Sequence, residues 1–504
     1  MSEPLIDLLI SQRPLLAVLV SLAVIPLILC SQRRPNLREG WTLTAAFVKF
    51  AIIVSMISQV TSGEILETSP LLLAPGIKLY LRVDAFGLLF AVVASGLWLL
   101  TSFYSIGYMR RGQYTNQTSY FVSFAICLSA TIGIAFAGNL LTFFIFYEIL
   151  TLATYPLVVH RRTPEALAAG KKYLIYTLGA GQIFLLAILW IEVIAPGSDF
   201  TPGGFLHDHV NSGVLPFIFL LFMIGTGVKA GIMPLHGWLP AAMVAPTPVS
   251  ALLHAVAVVK AGVFGVVRIV GYVFGTETLR IINADVVLAT IAAISILLAS
   301  IRALGEVNLK RRLAYSTLGQ LSYIVLGAAL GSVTAIMGAM FYIAAHAVMK
   351  ITLFFCAGSI YIATKRTEIA DLGGLGRSMP ITMGAFAIGA VGLTGLPLLV
   401  GFIGKWNIGL GALDANLGIF IAVLLISGIL NFAYFFPILY IAFYGHSNLK
   451  PGKEPGIAIV GPLVLTALLT IILGIAPNAG LELYSLASQA AQDVATHVVA
   501  QDWP

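Results

Sequence analysis

Long apolar stretches separated by short polar connections run through most of the chain. In FVSFAICLSATIGIAFAGNLLTFFIFYEIL, for example, two apolar runs meet at the short connection AGN. A helix that crosses a bilayer needs about 20 mostly apolar residues. On that length the pattern predicts fourteen membrane-spanning helices, which we number as spans 1 to 14. Their predicted bounds are 14–31, 42–61, 85–107, 119–137, 139–159, 173–194, 214–233, 247–273, 285–304, 313–331, 334–362, 380–410, 415–443 and 456–477.

The composition supports the same class of protein. Of the 504 residues, 59% are hydrophobic and only 10% are charged, whereas soluble domains carry about 25% charged residues. We therefore expect an all-α polytopic membrane protein. Its first apolar run follows acidic residues and has no basic region before it, so we interpret it as a retained helix rather than a signal peptide. Three widely spaced cysteines and no C-x-x-C motif argue against an iron–sulfur site or a disulfide framework.

The positive charges are distributed unevenly between the two sides of the predicted helices. Eighteen of the 28 Lys and Arg follow odd-numbered spans, four lie on the opposite side, and six fall inside spans. Cytoplasmic loops of membrane proteins carry the excess of Lys and Arg. The pattern predicts a multi-pass protein of the cell membrane with both termini on the non-cytoplasmic side. The net charge of +7 is then a topology signal and not a nucleic-acid footprint.

Several ionisable side chains lie inside the predicted spans. Lys49 and Arg268 are close enough to helix ends that we expect them to extend to the interface. Seven others lie deeper, where a charge costs about 2.5–3.5 kcal/mol. Such groups persist only if they pair, are hydrated or lose their charge, which favours a proton path over structural ion pairs. The seven are Glu148, Lys229, His254, Lys260, His346, Lys350 and Lys405.

The spacing of these residues indicates which of them share a surface. His346 and Lys350 are four residues apart and so lie on one face of a helix. His254 and Lys260 are six apart, which puts them on different faces of a regular helix unless a local irregularity intervenes.

Prolines accompany two of the deep lysines. Pro234 follows Lys229 in span 7, and Pro397 precedes Lys405 in span 12. Because proline breaks a helix interior, both spans are predicted to be interrupted. A pair of interrupted helices in separate halves of a membrane protein points to a transport site.

Several long motifs resemble one known family. The resemblance extends over roughly residues 80–445 and rests on five motifs: KAGIMPLHGWLPAAMVAPTPVSALLHAVAVVKAG, NLLTFFIFYEILTLATYPL, NLKRRLAYSTLGQLSYI, HAVMKITLFFCAGSIY and GLTGLPLLVGFIGKWNIG. These motifs resemble the antiporter-like subunits of respiratory complex I and of Mrp-type monovalent cation/proton antiporters. Membrane-bound hydrogenases contain subunits of the same family. The resemblance implies fourteen helices that include two inverted five-helix repeats.

That resemblance suggests four units along the chain. Residues 1–118 would hold spans 1–3, and residues 119–274 would form the first repeat with spans 4–8. Residues 285–443 would form the second repeat with spans 9–13. Residues 456–504 would hold span 14 and a C-terminal tail.

The resemblance also implies roles for individual residues. Proton translocation would use the glutamate of span 5, the lysines of spans 7, 8 and 12, and the histidines and lysine of spans 8 and 11. In this sequence these are Glu148, Lys229, Lys260, Lys405, His254, His346 and Lys350. The sequence itself contains no cofactor motif and no convincing set of metal ligands, so we expect neither a cofactor nor a metal in the chain and do not expect it to be an enzyme by itself.

Two features bear on the branch of the family. Lysine at position 405 and the short sequence after span 14 resemble the D-type subunit of Mrp antiporters, whereas APTPVSALLH is closer to the larger subunits. We therefore expect a proton-translocating subunit of a multi-subunit sodium/proton antiporter, with other membrane subunits as partners.

Two alternatives remain open. One is a proton-pumping subunit of a complex I-like NADH or ferredoxin:quinone oxidoreductase or of a membrane-bound hydrogenase. Any redox centre would then lie on partner subunits, because this chain has no cofactor motif. The other alternative is a structural scaffold, in which buried charges only hold helices together.

Overall fold

The structure is a computed structural model that describes residues 3–74, 77–197, 199–207, 209, 213–446 and 452–500. Within these ranges, twelve helices are long and apolar enough to cross a membrane. They are Gln12–Cys30, Pro35–Thr61, Ala85–Arg111, Gln117–Ala135, Leu140–Val158 and Pro164–Ile194 (spans 1–6), Thr247–Phe274, Ala284–Gly305, Leu309–Leu330 and Val333–Thr364 (spans 8–11), and Ile419–Tyr444 and Ile457–Ile475 (spans 13 and 14).

Two shorter apolar helices complete the predicted set of fourteen. Span 7 is Leu215–Ala230. Span 12 starts as Pro380–Thr394 and resumes as Val400–Asp414. The all-α polytopic fold with interrupted spans 7 and 12 is thereby confirmed. The predicted division into repeats at 119–274 and 285–443 stays a prediction.

The remaining elements are short, apart from the last one. Four strands between spans 2 and 3 form two antiparallel pairs, Leu66–Glu67 with Arg82–Val83 and Leu71–Ala74 with Ile77–Leu79. Short helices connect the later spans, at Trp238–Ala241, Ala242–Val244, Thr276–Ile281, Ile369–Leu372 and Leu375–Ser378.

The segment after span 14 differs from the expected tail. It forms a helix, Leu483–Ala500, whose Leu486 and Ala487 are buried and whose Gln489 donates to the carbonyl of Val60 at 3.0 Å. We did not predict it because small and polar residues dilute its apolar pattern. Residues 501–504 of this predicted unit lie outside the described residues.

Spans 8 and 11 occupy the centre of the molecule. Their most apolar stretches are entirely buried, whereas spans 1, 2 and 13 bury about a third or less of theirs. Lipid offers no hydrogen bonds, so polar side chains at membrane depth need protein or water around them. The two central helices are therefore where ionisable groups can be accommodated, and they carry His254, Lys260, His346 and Lys350.

Span 8 is not a uniform α-helix. It begins as an α-helix at Thr247–Ala251, widens to a π-helix at Leu252–Val256, and resumes as an α-helix at Val258–Arg268 before a second π segment, Ile269–Phe274. Wide turns of this kind are rare and occur frequently at functional sites. The irregularity lies between His254 and Lys260, so the regular-helix geometry does not apply to this pair.

Glycines with positive φ end the first halves of both interrupted spans. Gly231 closes span 7 at φ 73°, and Gly395 closes the first half of span 12 at φ 93°. Glycine adopts this left-handed conformation without steric cost, which is why it commonly ends helices. Pro234 and Pro397 follow within the breaks, as predicted.

A glycine also brings spans 7 and 8 into close contact. A Cβ atom added to Gly262 would lie 2.1 Å from the backbone nitrogen of Ala230 and 2.4 Å from the carbonyl carbon of Lys229. Backbone atoms cannot move aside as a flexible side chain can. The close packing of span 7 against span 8 at Lys229 thus requires a residue without a side chain at position 262.

We predict that Gly262→Ala destabilises the protein by about 1–3 kcal/mol, the usual cost of overpacking. The matched control is Gly179→Ala in span 6, where an added Cβ has nothing within 4 Å. Thermal unfolding of both variants in detergent measures the difference. Equal melting temperatures for the two variants would show that spans 7 and 8 do not pack this closely.

Candidate functional site

The centre of the site is a direct contact between spans 8 and 11. The Nζ atom of Lys260 lies 2.7 Å from Nδ1 of His346, and both side chains are almost completely buried. An amine and an imidazole that share a hydrogen bond can exchange one proton, since each group can carry it. Lys350 lies one helical turn further along span 11, on the same face as His346.

A series of hydroxyl groups leads away from Lys350. Its Nζ donates to Oγ of Ser316 in span 10 at 2.9 Å. The hydroxyl oxygen of Tyr434 in span 13 lies 2.9 Å from the same Oγ and 2.6 Å from Oδ1 of Asn431. The Tyr434 hydroxyl is placed to donate to either oxygen, and because tyrosine has one hydroxyl proton it donates to one of them at a time.

The series ends at the break in span 12. The helix stops at Thr394, which frees the carbonyl of Leu393 from the helical ladder. That oxygen accepts from Nζ of Lys405 at 2.5 Å and from Nδ2 of Asn431 at 3.4 Å. The interruption of span 12 therefore supplies the acceptor that connects Lys405 to the hydroxyl groups beside Lys350.

Lys405 has a different environment from the other three deep lysines. Its amine lies 4.6 Å from the centre of the Tyr323 ring, and its side chain is only partly buried. It lines an apolar groove of about 580 Å³ together with Phe402, Trp406 and Phe432. Lys405 is thus the member of the series closest to the lateral surface of the protein.

Lys229 is held in the last turn of span 7. Its Nζ donates to the backbone oxygen of Tyr147 at 2.6 Å and lies 3.2 Å from the centre of that tyrosine's ring. A cation over an aromatic face is stabilised by the quadrupole of the ring. The Tyr147 hydroxyl in turn donates to the carbonyl of Gly225 at 3.1 Å, so spans 5 and 7 are connected on both sides of the lysine.

The neighbouring glutamate lacks a hydrogen-bonding partner. Both carboxylate oxygens of Glu148 are buried and accept no hydrogen bond from the described residues. The carboxylate packs against Gly181 of span 6, where an added Cβ would lie 2.5 Å from Oε1. Glu148 and Lys229 attract each other electrostatically, but the described residues contain no ion pair between them. The carboxylate and the amine are therefore close enough to interact electrostatically but do not form an ion pair.

Three polar side chains, two of them without a partner among the described residues, lie along span 8. Thr247, Ser250 and His254 are spaced by three and four residues, so they line up along the helix. Oγ of Ser250 and both ring nitrogens of His254 are buried and have no partner among the described residues. The His254 ring packs against Phe354 at 4.8 Å between centres. Such groups need water or a proton-carrying partner.

The structure thus brings together most, but not all, of the predicted residues. A contact of 2.7 Å connects Lys260 to His346. Lys350 is connected through Ser316 and Tyr434 to Asn431, and Asn431 and Lys405 donate to the same carbonyl, that of Leu393. Lys229 and Glu148 lie on the other side of span 8, and no described hydrogen bond joins them to Lys260. Pro234 and Pro397 contribute only through the breaks in which they lie.

The expectation that Lys49 and Arg268 extend to the interface was wrong. Lys49 is buried, donates to Oγ of Ser21 at 2.7 Å and lies 5.3 Å from the centre of the Trp98 ring. Arg268 is buried too, and both of its terminal nitrogens bond to the carboxylate of Asp84. These partners lie far away in the sequence, so helix position alone could not indicate them.

Ser316, Asn431 and Tyr434 were not predicted as part of the site. Polar residues of this kind are common in membrane helices, and many of their hydroxyls bond to their own helix. No group of three or more His, Cys, Asp and Glu side chains suited to a metal occurs among the described residues.

These observations define the class of protein as a polytopic membrane subunit with ionisable groups aligned through its centre. A family model described as "NADH:quinone oxidoreductase/Mrp antiporter, TM" matches residues 137–431. The chain belongs to this family of multi-pass membrane subunits, which take part in ion and proton transport.

Individual relatives come from both branches of the family. The chain is 34% identical to the N-type subunit of the NADH-quinone oxidoreductase of Desulforudis audaxviator, over 76% of this chain and 74% of the relative. It is 29% identical to the D-type subunit of the Na(+)/H(+) antiporter of Alkalihalophilus pseudofirmus, over 79% and 80%. The A-type subunit of that antiporter is 30% identical, over 92% of this chain, which spans 61% of that relative's length.

Solved structures share the fold. A chain in the structure of the Mrp complex from Dietzia sp. DQ12-45-1b superposes with a TM-score of 0.88 over 98% of this chain and 99% of that chain, at 21% identity. A chain of the membrane-bound sulfane sulfur reductase, an archaeal respiratory membrane complex, gives 0.84 over 97% and 99%, at 24% identity. These relatives and structural neighbours are subunits of multi-subunit membrane assemblies.

We predict that Tyr434→Phe slows ion-coupled proton movement while the protein still folds. The variant keeps the ring but leaves Ser316 and Asn431 without their shared partner. A phenyl ring neither donates nor accepts a proton, so the step between Ser316 and Asn431 is interrupted, and we expect a loss of rate of roughly tenfold, which is about 1.4 kcal/mol in the barrier. Proton flux in reconstituted vesicles is the measurement.

The control for this variant is Tyr120→Phe. Tyr120 is also buried and hydrogen-bonded, to Ser105 at 2.9 Å, but it lies outside the series. If both variants transport at the rate of the unmodified protein, the hydroxyl of Tyr434 does not take part in proton movement.

Proposed function

We propose that this chain is the proton-translocating subunit of a multi-subunit Mrp-type antiporter that exchanges a monovalent cation, sodium, for protons. The observation that carries the proposal is the hydrogen-bonded connection from Lys350 through Ser316 and Tyr434 to Asn431 and Lys405. A structural scaffold needs buried charges to be paired with opposite charges. Here Glu148 interacts electrostatically with Lys229, whereas Lys260, Lys350 and Lys405 have no acidic partner among the described residues, so pairing alone does not account for the deep lysines.

The route runs through the middle of the membrane. Protons move between Lys260 and His346 across their 2.7 Å contact, and then to Lys350 one turn away. From Lys350 the hydroxyls of Ser316 and Tyr434 relay them, because a hydroxyl both donates and accepts. Asn431 cannot relay a proton in this way, so it positions Tyr434 and the approach to Lys405.

Glu148 and Lys229 act as the switch at the other end. When the carboxylate approaches the amine, opposite charges favour the protonated lysine. When they separate, burial favours the neutral amine, and its proton moves towards span 8. Among the described residues the carboxylate has no hydrogen-bonding partner and the lysine donates to a backbone oxygen, which supports the separated state of this pair.

The polar face of span 8 suggests how protons reach this route. Thr247 lines a pocket of about 250 Å³ with Arg161 and Lys310, on the side of the basic loops. From there Ser250 and His254 lead inwards, and their unpartnered atoms leave hydrogen-bonding capacity for water. The excess of Lys and Arg on this side supports its assignment to the cytoplasm, with both termini on the opposite side.

The choice of the Mrp branch rests on Lys405 and on the relatives. A lysine at the span 12 position matches the D-type antiporter subunit, and a relative of that type aligns over 80% of its length. The competing function, a proton-pumping subunit of a redox complex, is favoured by one specific observation, the 34% identity to a subunit of an NADH-quinone oxidoreductase.

We predict that Lys229→Ala abolishes transport while the complex still assembles. The variant removes the amine that carries the proton but leaves the break at Gly231 intact. The control is Lys49→Met, which removes a buried lysine outside the route and should leave transport unchanged. Sodium-driven proton movement in vesicles measures transport, and size-exclusion chromatography measures assembly.

Either of two results would contradict this assignment. Unimpaired transport by an assembled Lys229→Ala complex would remove Lys229 from the route. Loss of assembly on removal of each buried charge in turn would favour the scaffold.

We further predict that the chain purified gently from its native membrane brings small hydrophobic subunits with it and no iron or flavin. Mass spectrometry identifies the partners, and an iron and flavin assay accompanies it. Co-purified iron–sulfur or flavoprotein subunits would place the chain in the proton-pumping arm of a redox enzyme instead.

A further inference from the structure

A polar groove lies on the side of the basic loops, next to the entry pocket of the proposed route, since its Tyr114 accepts a hydrogen bond from Arg161 of that pocket at 2.9 Å. It has a volume of about 620 Å³ and lies between the end of span 1, the start of span 2 and the start of span 4. One wall is polar and includes Gln32, Arg38, Thr118 and Ser119. A groove of this size accommodates a small organic group.

Arg38 is the buried charge of this groove. It is only 4% exposed, and its terminal nitrogens donate to Gln117 at 2.8 Å and Thr118 at 3.2 Å. Its Nε is buried without an acceptor among the described residues. An arginine in this position has an unused donor and a positive charge close to the groove.

The surrounding acidic charge is insufficient to neutralise the arginines. Glu39 lies 3.4 Å from Arg38, but it also accepts from Arg110, whose Nε lies 3.0 Å away. One carboxylate is thus shared by two guanidinium groups. Arg33 and Arg34 are exposed on the same connection. The mouth of the groove therefore carries an excess of positive charge.

The opposite wall of the groove is apolar and continues into the membrane surface. Leu29 at the end of span 1 is 51% exposed, and Val122 on span 4 is partly buried. The groove thus joins a cationic polar end to an apolar strip that faces lipid.

We propose that this groove binds the headgroup of an anionic phospholipid. The phosphate would lie at Arg38 and the hydroxyls of Thr118 and Ser119, with an acyl chain along Leu29 and Val122. Basic pockets between membrane helices recognise anionic headgroups in this manner, and arginine pairs well with phosphate. The proposal does not depend on which ions the protein transports.

The test compares lipid binding to the whole complex by native mass spectrometry. Delipidated complex is titrated with dioleoylphosphatidylglycerol, with dioleoylphosphatidylcholine, and with inorganic phosphate as a competitor. We expect one phosphatidylglycerol to be retained in preference to phosphatidylcholine. Equal retention of the two lipids would overturn the proposal, and so would displacement of the bound lipid by inorganic phosphate, which would indicate a free-anion site.

Two variants and one control assign the effect to the groove. Ser119→Asp places a negative charge at the exposed wall without changing the bonds of Arg38, and Arg38→Gln removes the positive charge. Both should bind phosphatidylglycerol roughly fivefold more weakly. Arg377→Gln removes an exposed arginine from the same side, outside the groove, and should bind normally. Unchanged binding by Ser119→Asp overturns the proposal even if Arg38→Gln does not fold.

Discussion

The cost of placing a charge in hydrocarbon constrains this structure more than any other interaction. A lysine or glutamate at membrane depth costs about 2.5–3.5 kcal/mol, and the described spans place Glu148 and five lysines there, with Lys49 in addition to the four of the site. The fold meets the cost in three ways. It surrounds the charges with wholly buried helices, it provides backbone oxygens as acceptors, and it connects amines to hydroxyl and imidazole groups. The hydroxyl and imidazole groups that stabilise the amines can also accept a proton from them.

The interrupted helices are part of the same solution. A continuous helix uses its carbonyls internally, whereas a helix that ends inside the membrane leaves its last carbonyls free. In span 12 the freed carbonyl of Leu393 accepts from Lys405. In span 7 the carbonyl of Val228 accepts from the indole nitrogen of Trp238 at 2.8 Å, which holds the break beside Lys229 in place. Glycine and proline thus set where a buried amine can be stabilised.

Much of this could be predicted from the sequence because charges and prolines inside apolar runs are unambiguous signals. The fourteen spans, the two interruptions and the shared face of His346 and Lys350 follow from composition and spacing. The contact between Lys260 and His346 does not, because it joins residues 86 positions apart. The contacts of Ser316 and Tyr434 do not follow from the sequence either, because they depend on how spans 10, 11 and 13 pack against one another. The pairing of Arg268 with Asp84 was missed for the same reason.

The central claim is that the ionisable groups form one route, completed by water where side chains do not touch. The most direct measurement is a cryo-electron microscopy map of the assembled complex at a resolution that shows ordered water. We expect water at Ser250 and His254, whose polar atoms have no partner among the described residues, and between Lys229 and Lys260, which no described hydrogen bond joins. Close apolar packing between these two lysines, with no water, would contradict the account.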